Sequence, residues 1–179
     1  MSAAELEFAP ASAADAAAVA ALVNSAYRGD SSRRGWTTEA DLLGGQRTDP
    51  ASIAGIVASP ACSLLLARRA GELVGCVLLE RKDDGAYLGM LTVRPDLQAG
   101  GIGRRLLAAG EVHAREAFGA RWVEMTVIEQ RRELIAWYER RGYAWTGERR
   151  PFPYGDERFG LPQRPDLVFV VLRRQLARA

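Results

Sequence analysis

Residues 91–107 read LTVRPDLQAGGIGRRLL, and this stretch decides the fold. An apolar strand runs out at Pro95. Gln98, Gly101 and Gly103 then punctuate a turn, and an amphipathic helix begins behind it. A glycine turn that opens a helix leaves several backbone N–H groups unpaired and aimed one way. The helix dipole adds partial positive charge at the same point, so a phosphate can sit there without a dedicated lysine. Gly101 and Gly103 let the backbone approach such a ligand closely because no Cβ intervenes.

Two familiar phosphate loops do not fit. The P-loop needs a lysine and a hydroxyl after its last glycine, and Lys82 is the only lysine in the chain. The dinucleotide fingerprint needs a third glycine and then an acidic residue about 20 positions on. Here Leu106 stands where that glycine belongs, and Glu124 lies inside a strand-like run.

The rest of the chain sets the bounds. With 179 residues, 48% hydrophobic and 26% charged, it is expected to form one domain spanning 1–179, large enough for a core without staples. A net charge of +2 makes no case for nucleic-acid binding. Cys62 and Cys76 form no Cys-x-x-Cys pair and His113 is the single histidine, so neither a metal site nor a disulfide framework is expected. No leader pattern opens the chain, and no apolar run approaches the roughly 18 residues of a membrane helix. A cytoplasmic location without membrane association is the expectation.

Periodicity and punctuation predict the elements. A short strand over Glu5–Phe8 precedes a helix over Asp15–Tyr27, with Ser12 and Asp15 resembling a capping box. Arg28–Arg34 reads as a polar turn. Trp36–Leu43 reads as a second capped helix starting at Thr37 or Thr38, and 50–58 as a third segment. Strands follow over Ser63–Arg69, Glu72–Arg81 and Ala86–Val93, the first two joined by Ala70-Gly71. Then come helix Gly101–Phe118, strand Arg121–Ile128, helix Arg131–Arg140 and strand Tyr143–Glu148. A proline-rich excursion, Pro151–Pro165, leads to the last strand, Leu167–Arg173. The order β-α-α-β-β-β-α-β-α-β-β describes an α/β chain, a mixed sheet with helices on both faces.

The turn also resembles the acyl-CoA loop of the GNAT superfamily of N-acetyltransferases, Gln/Arg-x-x-Gly-x-Gly/Ala after a strand. Val93-Arg-Pro before it, Arg104-Arg-Leu-Leu107 after it and Tyr138-Glu-Arg-Arg-Gly-Tyr143 downstream extend the likeness over nearly the whole chain, as does the element order. The resemblance implies the GNAT acyl-CoA N-acyltransferase fold and acetyl-CoA as acyl donor. It implies that the strand around Leu91, Thr92 and Val93 splays from its neighbour and pairs with pantetheine, with a bulge hosted at Gly89. The Leu91 N–H would polarise the thioester carbonyl. The pyrophosphate would fall to the backbone of Gln98, Ala99, Gly100, Gly101, Ile102, Gly103 and Arg104, with Arg104 or Arg105 adding charge. Tyr138 would protonate the departing thiolate; by residue type alone it reads as a core aromatic.

Three positions depart from the family pattern. Arg131 stands where many relatives have asparagine, seven residues before Tyr138, and Leu134 where they have alanine. Tyr87 replaces a glutamate that serves some relatives as base, which leaves Glu124, Glu129 or water for that task. The acceptor would lie between two unusual segments, Tyr27–Leu43 and Arg149–Asp166, with Trp36, Arg47, Phe152, Tyr154, Arg158 and Phe159 as candidate lining. Arginines beside aromatics suit a carboxylate-bearing small amine, and they equally suit a homodimer interface or a lid. The reading is acetyl transfer to a small primary amine by direct attack. A protein acetyltransferase of the same fold and a non-catalytic acyl-CoA sensor stand as alternatives. His113 is expected to be structural.

Overall fold

The computed structural model describes residues 5–177. In chain order the elements are β1 (Leu6–Pro10), α1 (Ala16–Tyr27), α2 (Gly29–Ser32), β2 (Leu43–Gly44), α3 (Pro50–Ala58), β3 (Cys62–Arg69), β4 (Glu72–Arg81) and β5 (Ala86–Val93). They continue with α4 (Ile102–Phe118), β6 (Trp122–Ile128), α5 (Arg132–Glu139), β7 (Ala144–Pro151), β8 (Leu161–Pro162) and β9 (Val168–Gln175).

Two-sided burial explains the central strands. In β3, Leu64 and Leu66 enter one core while Leu65 and Ala67 enter the other. In β4, Cys76 faces the first core, and Val77 and Leu79 the second. Successive side chains point to opposite faces, so a strand that is apolar at every position must be covered on both sides. Helices α1 and α3 cover one face through Val19, Val23 and Ile53. Helix α4 covers the other through Ile102, Leu106 and Ala114, joined by Tyr138 of α5. The strands run in the order β1-β3-β4-β5-β6-β9-β7, with β5–β6 the parallel pair, and β2 pairs with β8 in a small separate sheet. Among the described residues no helix is long and apolar enough to cross a membrane.

The predicted strands and long helices form close to their expected bounds. Pro50 at the first turn and Asp49, whose carboxylate accepts from the Ser52 N–H at 2.8 Å, start α3 as the sequence suggests. One expectation is corrected. The segment 36–43 is not helical, and a short helix forms earlier, over Gly29–Ser32. The residues that read as caps are held mainly by distant partners, and a local bond runs from the Ala40 N–H to the Thr38 hydroxyl at 3.1 Å. The Thr37 hydroxyl donates to Glu133 and accepts from Arg131, the Thr38 hydroxyl meets that of Ser32 at 2.6 Å, and Glu39 is drawn into a buried ion cluster. Tertiary partners outcompete a local helix here.

Candidate active site

The site is built on a fault in the sheet. Strands β5 and β6 pair only at Ala86–Val123 and Tyr87–Glu124, and then they part. Within β5, Ala86 and Leu88 face the α4 core, yet Met90 faces the α1 core, and Leu91 and Val93 return to the α4 side. That break in the period of two is a β-bulge. The register with β4 shifts between Cys76 and Leu78, and Met90 takes a positive φ of 54°. The bulge therefore sits at Met90, one residue beyond the expected Gly89. The Arg94 N–H donates to the Val74 carbonyl at 2.9 Å. By alternation the main chain of Val93 then faces away from β4, into the gap left by β6.

A cavity of about 290 Å³ lies where the strands have parted, between the end of β5, the turn before α4 and helix α5. Leu91, Thr92, Val93, Gln98, Ala99, Gly101, Gly103 and Arg104 all border it, whereas Gly100, Ile102 and Arg105 do not. The Ile102 side chain is instead buried in the core. Ala99 and Gly101 have φ of 65° and 80°, so two left-handed residues curl the chain around the first turn of α4. That first turn carries no acidic side chain. Arg141 lies 3.6 Å from the Trp137 ring centroid, and both residues border the cavity with Arg104. Burial, then repulsion from Arg140 and Arg104, lowers the affinity of Arg141 for its proton. Cations gathered beside a bare helix N-terminus fit a polyphosphate.

The Gln98 side chain bridges two segments at the border of this cavity. Its side-chain N–H₂ donates to the Val93 carbonyl at 3.1 Å, and its carbonyl accepts from the Trp36 N–H at 3.1 Å. It thereby ties the end of β5 to the segment after α2. The fit is close: a Cβ on Gly35 would lie 2.1 Å from the Gln98 Oε1.

A second cavity, of about 160 Å³, opens between the parting strands, bordered by residues 87–91 of β5 and 125–128 of β6. Tyr27, Leu91, Arg131, Leu134 and Tyr138 border both cavities and so mark their junction. The floor of the second cavity is an ion cluster. Both carboxylate oxygens of Glu39 are taken, one by Arg28 and the other by Arg131 at 3.2 Å, and all three residues are buried. Asn24 fixes the neighbouring segment by accepting from the Arg47 N–H at 2.7 Å, and the Arg47 guanidinium packs over the Tyr27 ring. Phe152, Phe159 and Phe169 form an apolar wall.

Two phenols meet at the junction, and they differ. The Tyr27 hydroxyl donates to the Leu91 carbonyl at 2.8 Å, and burial pushes its pKa up to about 12. Its proton is committed to fixing β5. Tyr138 packs edge-on to Trp137 and Tyr143, with ring centroids 5.0 and 5.8 Å away, and burial raises its pKa far above the ordinary phenol range. It therefore stays protonated at any working pH.

Other expected residues lie elsewhere. Burial pushes the Glu124 carboxyl up, but hydrogen bonds from Arg173 and Arg150 more than offset this and hold it below the usual range. Glu129 pairs with Arg149. Neither glutamate borders either cavity, and Glu39 is the one carboxylate that does among the described residues. Tyr87 borders the second cavity and shares a hydrogen bond with Thr126 at 3.1 Å. Of the candidate acceptor lining, Arg47, Phe152 and Phe159 are in place. Trp36 borders the first cavity instead, Tyr154 hydrogen-bonds to the Arg164 carbonyl, and Arg158 pairs with Asp156. His113, on α4, bonds Ser63 of β3 at 2.8 Å and borders neither cavity. Sequence reasoning places Tyr27, Arg28 and Glu39 within an acceptor-flanking segment but gives none of them a role of its own. The exchange of asparagine for Arg131 was the one available signal, since an arginine there needs a partner.

The comparisons agree with this geometry. Residues 21–143, more than half of the chain, match the model of the acetyltransferase (GNAT) family. A curated relative, an IAA acetyltransferase from Azospirillum brasilense, is 38% identical over 109 residues, covering 59% of this chain and 68% of the relative. Among solved structures, the ribosomal-protein-S18-alanine N-acetyltransferase from Escherichia coli superposes with a TM-score of 0.70 at 15% identity, covering 98% of this chain and 96% of that one. An acetyltransferase from Salmonella typhimurium, solved with acetyl-CoA, gives a TM-score of 0.69 at 20% identity over 97% of this chain and 95% of its own. The mixed sheet, its splayed central strands and the family match together place this chain in the GNAT acetyltransferase family, acyltransferases whose acyl donor is acetyl-CoA.

Proposed function

We propose that this protein transfers an acetyl group from acetyl-CoA to the primary amine of a small molecule by direct attack. The observation that carries the reading is the meeting of the two cavities at Leu91 and Tyr138. One cavity has a backbone edge and a phosphate-fitting helix end, and the other is compact and lined by side chains. The curated relative named as an IAA acetyltransferase supports a small-molecule acceptor.

Acetyl-CoA supplies the activated thioester, and the protein's residues do the rest. The free edge of β5 around Val93 aligns the pantetheine arm, with the Gln98 amide positioned to yield the Val93 carbonyl. The turn from Ala99 to Arg104, with Arg141, holds the phosphates. The Leu91 N–H donates to the carbonyl oxygen as negative charge develops there, and Tyr27 steadies that part of the strand. The amine nitrogen bonds to the carbonyl carbon, the carbon–sulfur bond breaks, and Tyr138 gives its proton to the leaving sulfur. The proton lost by nitrogen passes to solvent, because the lone carboxylate at the cavities is already shared between two arginines, and solvent returns a proton to Tyr138. A covalent acyl-enzyme is not part of this scheme. Cys76 is buried, with its thiol pushed up to about 12 by burial, and neither cysteine borders a cavity.

The test is thiol release from acetyl-CoA against amino acids, polyamines, aminoglycosides and basic peptides, with a thermal-shift titration by CoA in parallel. Turnover with a small amine supports the reading. Stabilisation by CoA without turnover of any acceptor would point to an acyl-CoA sensor, and turnover of peptides alone to a protein acetyltransferase.

A further inference from the structure

The charges around the second cavity do not balance. Arg28, Arg47 and Arg131 border it, against the single carboxylate of Glu39. Arg28 and Arg131 are only 5% and 7% exposed, and Glu39, at 6%, has both oxygens occupied by them. One guanidinium charge is thus left over inside the cluster itself. The Nε atoms of Arg28 and Arg131 are buried without hydrogen-bond partners. A buried uncompensated cation is costly, and the cost falls when an anion arrives beside it. Arg47, half-buried and stacked over Tyr27 at 5.7 Å, adds a further positive charge on the same wall.

We propose that the acceptor is an α-amino acid with an apolar or aromatic side chain, its carboxylate held by Arg131 and Arg47 above the Glu39 cluster. This rests on the acetyltransferase reading of the site and specifies its substrate class. The apolar part of the molecule lies against Phe152, Phe159 and Phe169. Position relative to the chemistry separates α-amino acids from longer ω-amino acids. Arg131 borders both cavities, so a carboxylate that it holds is close to the junction, and the reacting nitrogen must be within a few bonds of that carboxylate. Arg28 also donates to the Phe159 carbonyl at 3.4 Å, which couples the cationic floor to the apolar wall.

The test compares L-phenylalanine with L-phenylalaninamide and phenethylamine, and L-leucine with L-leucinamide, as acceptors at saturating acetyl-CoA. The free acids should exceed their amides and the decarboxylated amine in kcat/KM by at least about a hundredfold, as expected when a built charge site loses its partner. Because R131Q also removes a buried hydrogen-bond partner of Glu39 and Thr37 and so perturbs folding, the decisive variants are R47Q and R47K at the more exposed arginine. R47Q should shrink the acid-to-amide ratio by about tenfold, mainly through KM for the acid, and R47K should restore part of it. CoA should stabilise both variants as it does the parent protein. Amides or simple amines transferred as well as the acids would overturn the carboxylate site while leaving the acetyltransferase intact. Failure of every amine, with CoA still bound, would remove both readings together.

Discussion

The two halves of the cleft are built from different materials. The half proposed to hold acetyl-CoA rests on main chain, the parted edge of β5, two left-handed residues and the first turn of α4, with Trp137 and Arg141 at its border. The half proposed for the acceptor adds side chains from segments far apart in sequence, Tyr27 to Arg47, Arg131, and Phe152 to Phe169, to the parted strands at 87–91 and 125–128. A main-chain site depends on glycines and a bulge at fixed spacing, so it keeps its shape through many changes of side chain. A side-chain site is held by buried charge and is correspondingly sensitive to single substitutions. On the proposed reading the first half carries the chemistry common to a family, and the second the choice of substrate.

The sharpest way to break this comparison acts where the halves meet. Tyr138→Phe removes the proposed acid without touching the phosphate turn. It should lower kcat by about 10²–10⁴-fold, the usual worth of general acid catalysis, with KM for acetyl-CoA nearly unchanged in steady-state assays. Next in size is the acceptor floor. Glu39→Gln leaves Arg28 and Arg131 buried and facing each other, and should cost about 3–5 kcal/mol in chemical denaturation, whereas Glu129→Gln at an exposed pair should cost less than about 1 kcal/mol. The donor half should respond more gently. Gly101→Ala meets no atom within 4 Å but must hold φ at +80°, a strain of about 1–2 kcal/mol. Binding of CoA, read by thermal shift, should weaken by about tenfold without a change in kcat at saturation.

The smallest effect lies outside both halves. Burial lowers the His113 pKa below its ordinary 6.5, so the folded protein holds this ring neutral. Its contribution to stability is complete above pH 6.5 and is lost as pH falls through the folded value, because the unfolded chain then binds the extra proton. His113→Gln should remove that component from the melting temperature measured between about pH 7 and about pH 5, and leave acetyl transfer unaltered.

The same division explains what was legible in the sequence. Strand β5 and helix α4 were readable to within a residue because glycines, Pro95 and apolar period are local signals. Gly101, Gly103 and Arg104 follow from that local pattern and border the donor cavity. The bulge was anticipated, but one residue early, because its cause is the register against β4, which no local pattern records. Segment 36–43 was misread for a related reason. Thr37, Thr38 and Glu39 have the spacing of a helix start, yet their partners are Arg131, Ser32 and Arg28, and only the fold brings those together. Strand β7 runs on to Pro151 past Gly147, whose φ of 87° bends the strand before Arg149 pairs with Val170, a pairing equally invisible from the sequence.

The most direct test is a crystal structure of the protein with acetyl-CoA bound. The account predicts the pantetheine arm along β5 in the gap left by β6, and the thioester oxygen at hydrogen-bond distance, about 3 Å, from the Leu91 nitrogen. It also predicts the sulfur facing Tyr138 and the phosphates on the turn before α4. A thioester lying away from Leu91 and Tyr138, or phosphates bound elsewhere than at Ala99–Arg104, would contradict it.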